Sequence, residues 1–315
     1  MPHGTKRLSD LTLPAMNIRF LKTRPKLKTG AQMIANNMAR VLYSLPKMLI
    51  QHNSCPPFLH LQCVSACNSG EGMEPLANCI SLLAMLVNRS TGTANLFWRN
   101  IRIECDRITS KFMSFNFQGL LATVQTLFIY LLLRMADGET EHNNHDAALL
   151  ATLTVVVGEL RRREQCTSLA QESLDILCPG LSWGQWIYQE SRRRVCILFR
   201  IINMLVCMEQ TSACNTTGQP GLILAPLPAR KQLWEAASEE QWLQELHRAP
   251  SVNGGFGLTE SGDLIELGEY QMKSLSMPGS AEVCTSDKSK ENWEEWCAGM
   301  DDFGALIMLA ASLPL

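Results

Sequence analysis

The sequence predicts an all-α protein built as a multi-helix bundle, and three observations carry that reading. Apolar residues recur at helical spacing through most of the chain, while alternating strand patterns are scarce. Hydrophobic residues make up 46% of the 315 and charged residues only 18%, which fits a large core and excludes a disordered polymer. Proline, glycine and capping residues punctuate the periodic runs where helix ends are expected.

Ala31–Leu45 is amphipathic and is expected to end before Pro46, because proline cannot donate to the helical ladder. Pro75 suits the first turn of a helix over Leu76–Val87, where its missing N–H is not needed. Thr93–Phe112 sets Leu96, Phe97, Ile101, Ile103 and Ile108 against a polar face. Phe117–Met135 is apolar around most of its circumference, which predicts the buried centre of the bundle, and Asp137-Gly138 stops it. The 22 residues between Lys111 and Arg134 carry no formal charge and are long enough to cross a bilayer. Ser114, Asn116, Gln118, Thr123, Gln125 and Thr126 stud them, so a core helix is expected and a membrane is not.

Asn144–Arg163 is the next helix. Ser182-Trp183-Gly184-Gln185 has capping-box spacing, in which hydroxyl and amide each satisfy a free backbone N–H. The helix it opens aligns Trp183, Ile187, Glu190, Arg194, Ile197, Ile201 and Leu205. Glu190 and Arg194 stand four apart with the acid first, the favoured order for a structural ion pair. On that stripe the pair is either partly enclosed or at its solvated edge. Gly218–Pro228 reads as a linker, Ala229–Ala237 as a short helix, and Ser238-x-x-Gln241 as the cap of another carrying Trp242, Leu243 and Leu246. Residues 250–290, rich in Gly, Ser and acids, predict a mobile stretch, and Phe303–Leu313 a terminal apolar helix able to return to the bundle. The expected organisation is a basic, disordered segment 1–30, a helical domain 31–249, and an acidic, partly flexible region 250–315.

Charge is distributed unevenly. Residues 1–30 carry seven Lys/Arg against Asp10 alone, whereas residues 235–302 carry 15 acids against 4 bases, although the whole chain is only −2. Different partners are expected at the two ends. Arg19, Lys22, Arg24, Lys26 and Lys28 could contact phosphates or act as a nuclear-import signal, with a plain solvated tail as the alternative. Trp293, Glu294, Glu295 and Trp296, with Asp301, Asp302 and Phe303, form a candidate activation segment: interspersed acids keep aromatic anchors exposed for capture by a coactivator groove. A surface helix with Trp293 and Trp296 packed on the core is the competing reading.

Chemistry-bearing motifs are scarce. No dinucleotide fingerprint, P-loop lysine motif or Gly-x-Ser-x-Gly elbow occurs, so no enzyme and no cofactor are expected. His142-x-x-His145 with Glu141 and Asp146, and His60-x-x-Cys63-x-x-x-Cys67 with Cys79, are the two sets with metal-ligand chemistry. Each reads better as a structural segment, the first as a polar turn and the second through the apolar helix around Cys79. A helical metal-assisted metabolic enzyme working through His142 and His145 is the alternative function, and a membrane-associated protein using Phe112–Leu133 a third. The twelve cysteines include no Cys-x-x-Cys and several sit in apolar runs, which predicts free thiols in a reducing compartment, cytosol or nucleus.

Several segments together resemble a known family. They are Cys55-Pro56-Pro57-Phe58-Leu59-His60, Pro75 to Cys79, Gln125 to Tyr130, Glu190 to Arg194, Pro226 to Ala229 leading into Leu233-Trp234-Glu235-Ala236 and Trp242, and Phe303 to Leu306. They are similar to the regulatory region of fungal transcription factors of the binuclear zinc-cluster type, especially those governing secondary-metabolite gene clusters, over about residues 35–310. The resemblance implies a helical nuclear module controlling transcription, with Glu190 to Arg194 and Pro226 to Ala236 as scaffold signatures. The six-cysteine cluster that usually opens such factors is not in this sequence, whose first cysteine is Cys55. Direct sequence-specific DNA binding is therefore not expected of it, and the implied partners are transcriptional coactivators or a DNA-binding protein. A DNA-binding region lost from the start of the sequence is the other way to account for the missing cluster, and homodimerisation stays open.

Overall fold

A central helix organises the molecule, and its burial follows from its composition. In the computed structural model, which describes residues 21–23, 29–51, 54–67, 72–86, 91–170, 182–208, 223–224, 226–248, 256–259, 264–266 and 287–313, helix α5 spans Phe117–Asp137. Every residue from Gly119 to Arg134 is buried. The Asn116 side chain caps it, accepting from Gly119 N at 2.7 Å, and Gly138, at φ 66°, turns the chain out of it. Close packing at its start needs glycine: a Cβ on Gly119 would stand 2.8 Å from the carbonyl oxygen of Gly72, itself at φ +78°.

Helices α1 (Thr29–Gln51), α3 (Glu74–Ala84), α6 (Asp146–Ala170) and α7 (Trp183–Leu205) pack around α5. Between α1 and α3 lies the short α2 (Leu61–Ala66), and α4 (Thr91–Lys111) lies against α6 and α3. Beyond α7 come α8 (Lys231–Trp234), α9 (Glu239–Arg248), α10 (Asp287–Gly299) and α11 (Asp302–Ala311), the last packing on α1 and α7. Among the described residues, extended structure is limited to two small antiparallel sheets: β1 (Leu21–Thr23) with β2 (Val206–Met208), and a meander of β3 (Ile223–Leu224), β4 (Phe256–Thr259) and β5 (Leu264–Glu266). The class is all-α, a multi-helix bundle.

Two expectations need correction. Helix α1 does not end before Pro46 but runs through it, because Leu42, Leu45 and Pro46 are buried and Met48 to Ile50 pack on the same core. That burial outweighs the lost ladder bond, which costs about 3 kcal/mol. Within the basic segment 1–30, Leu21–Thr23 forms a strand, with Leu21 buried and its N–H donating to Asp146 Oδ2 at 3.4 Å. Beyond residue 250 the terminal apolar helix returns to the bundle, as its composition allows. One hydrophobic core takes in Leu21, Leu42, Leu127, Ile201, Trp296, Ile307 and Leu313 alike.

Candidate functional site

The capping box observed at Ser182 and Gln185, with reciprocal bonds of 3.1 and 3.3 Å, starts α7 at the register that turns its apolar stripe inward. Glu190 and Arg194 lie on that stripe, 1% and 0% exposed, so the pair is enclosed. Arg194 Nε donates to Glu190 Oε1 at 2.8 Å. Its Nη1 donates to the Pro57 carbonyl at 3.0 Å and to Asp301 Oδ2 at 2.5 Å, and its Nη2 to the Ala229 carbonyl at 3.1 Å. Glu190 in turn accepts from Ala229 N at 2.8 Å and from Arg193. The guanidinium also lies over the Trp234 ring, 4.2 Å from its centroid, and 5.6 Å from that of Phe303.

Neighbouring contacts extend the centre. Trp296 Nε1 donates to the Pro228 carbonyl at 3.2 Å, and Gln125 Nε2 of α5 to the Phe58 carbonyl at 2.8 Å. Asp301 caps α11 with its other oxygen, Oδ1, accepting from Gly304 N at 3.0 Å. His60 is buried, with Nδ1 accepting from Gln62 N at 3.1 Å and its ring edge-on to Trp234 at 4.8 Å. Burial holds its pKa down at about 4, and the Arg194 charge acts in the same direction.

Two arginines, Arg193 and Arg194, face two carboxylates, Glu190 and Asp301, so the charges balance inside the core. Every nitrogen of the Arg194 fork already bonds a protein acceptor, and both Glu190 oxygens already accept. The arrangement therefore joins chain segments that are far apart in sequence. It brings together Pro57, Phe58 and His60, Gln125, Glu190 to Arg194, Pro228, Ala229 and Trp234, and Phe303. These come from most of the dispersed segments that carry the family resemblance.

The other predicted residues fall out differently. Arg19, Arg24, Lys26 and Lys28 lie outside the described residues, and Lys22 is in β1 opposite Cys207. In the candidate activation segment Glu294, Glu295 and Asp302 are exposed, but Trp296 and Phe303 are 2% and 0% exposed and Trp293 is half-buried, stacked on Trp296 at 5.4 Å. As folded, the segment does not hold its aromatic anchors free. The packed alternative describes it, because those side chains complete the core beside Arg194.

A second enclosed ion pair was missed by the sequence reading. Arg134 Nε donates to Asp146 Oδ1 at 2.7 Å and its Nη2 to Oδ2 at 3.2 Å, with the two side chains 4% and 0% exposed. Arg134 and Asn143 both donate to the Gly138 carbonyl, closing the loop between α5 and α6. A charge placed at the end of a long, uncharged and mostly apolar helix was the available signal. Asp146 is thus engaged as a salt-bridge partner beside His142 and His145. Among the described residues no three His, Cys, Asp or Glu come together as a metal site. Cys55, Cys63, Cys67, Cys79, Cys105, Cys196 and Cys297 are free thiols, and burial pushes Cys79 well up and Cys55 to about 11. Helix α5 is long and apolar enough to cross a membrane, but 89% of that stretch is buried inside the protein. No family model, no curated protein and no solved structure matches the chain.

Proposed function

We propose that the protein is a nuclear transcriptional regulator, controlling a fungal secondary-metabolite gene cluster through contacts with coactivators or a DNA-binding partner. One observation supports the reading above the rest. Segments between Cys55 and Phe303 that singly are short and degenerate meet at the ionic centre of Glu190, Arg194 and Asp301, as scaffold signatures of one regulatory module should. A balanced, saturated centre also suits a docking platform better than a reaction site. The test is to fuse the chain to an unrelated DNA-binding domain and measure a reporter carrying its operator. A rise or a fall in reporter transcript is expected, with the fusion-free chain accumulating in the nucleus. An unchanged reporter together with exclusion from the nucleus contradicts the proposal.

A further inference from the structure

Helices α6 and α7 both pack on α5, and long side chains bridge the space between them. Glu164 of α6 accepts from the Tyr188 hydroxyl at 3.1 Å and pairs with Arg192 Nε of α7 at 3.3 Å. One turn back on α6 stands Arg161, exposed; one and two turns beyond Arg192 on α7 stand Cys196 and Arg200, both half-buried. Electrostatics set Arg161 opposite the latter two, as antiparallel helices require. Burial raises the Cys196 thiol pKa, while Arg192, Arg200 and Arg161 all pull it down. Burial lowers the Arg200 pKa and the Arg161 charge pushes the same way, so two like charges are held together. Arg162 and Arg163 share Glu159 and Arg192 has Glu164, whereas Arg161 pairs with no carboxylate among the described residues. Space adjoins it on α6, where a Cβ built at Gly158 would meet no described atom within 4 Å.

We infer that Arg161, Arg192 and Arg200 form an anion site for a doubly charged phosphate group, whether a phosphate monoester or free phosphate. A phosphate dianion presents three acceptor oxygens, enough to meet three guanidinium forks at once, and its charge relieves the repulsion between Arg161 and Arg200. A carboxylate brings two oxygens and a single charge. A nucleic-acid strand spreads its phosphates along a track and is matched by cations spread likewise, whereas these three gather about one thiol. One turn before Arg192, the Tyr188 ring lies edge-on to Phe117 at 6.4 Å, and Phe117 is 36% exposed. That pair offers a packing surface to the body of an aromatic ester, which free phosphate cannot use. Phosphate binding here is independent of the role in transcription, and either can fail without the other.

The test titrates the full chain calorimetrically with inorganic phosphate, phenyl phosphate and benzoate, at fixed ionic strength and about pH 8, where the phosphate dianion prevails. Saturable phosphate binding is expected, with benzoate at least about tenfold weaker. Arg161→Gln, a change at an exposed position, should weaken phosphate binding at least about tenfold while the urea midpoint stays that of the parent. Tighter binding of phenyl phosphate than of inorganic phosphate identifies an ester site, and equal or weaker binding a site for the free anion; both support the inference. No saturable binding of either phosphate, benzoate binding as tightly, or undiminished binding by Arg161→Gln overturns it. So does a single-stranded oligonucleotide that binds through Arg161 more tightly than either phosphate.

Discussion

Replacing Arg194 with methionine keeps length and apolar packing but leaves the Asp301 carboxylate without its cation and the enclosed Glu190 with Arg193 alone. The expected cost is ~3–5 kcal/mol, read by urea unfolding. Arg194→Lys should recover little, since a single ammonium cannot reach Glu190, Asp301 and two carbonyls at once. His60 makes a pH prediction. Its folded pKa of about 4 lies below the ordinary histidine value of 6.5, so the native state favours the neutral ring. Its contribution is complete above pH 6.5 and lost as pH falls from there towards 4, to the extent of ~3 kcal/mol. His60→Gln should flatten that part of the stability profile relative to the parent, and an unchanged slope would contradict the burial argument.

At the scale of elements, α11 is set by Asp301, which caps its first turn with one oxygen and pairs with Arg194 through the other. Asp301→Asn keeps a cap but not the charge, whereas Asp301→Ala loses both. Alanine should therefore be the less stable of the two by about 1 kcal/mol, measured by denaturation, and equal stabilities would remove the capping role. Gly119→Ala should cost about 1–3 kcal/mol despite alanine's better helix propensity, because the added methyl meets the Gly72 backbone. Legibility in the sequence also follows the physics of single elements. Helix α5 and the Ser182 capping box were readable because local composition decides them. The continuation through Pro46, the three-residue strand at Leu21 and the short α2 were not, since burial against distant segments decides those. The pairing of Glu190 with Arg194 was legible as an i, i+4 spacing. Its third member, Asp301, and the carbonyls of Pro57 and Ala229 were not, because no periodicity connects residues so far apart.

For the whole molecule, a core continuous from Leu21 to Leu313 predicts one cooperative unfolding transition. Tryptophan fluorescence and far-ultraviolet circular dichroism should follow the same urea curve, and two separated transitions would contradict a single continuous core. The same continuity ties function to the ionic centre: a platform that loses Arg194 should lose the surfaces its partners read. The most direct measurement compares transcripts in a deletion strain, the same strain restored with the parent chain, and the strain restored with Arg194→Met. The account predicts that deletion changes the transcripts of a neighbouring gene set, that the parent chain restores them and that the variant does not. Transcripts unmoved by deletion would contradict it.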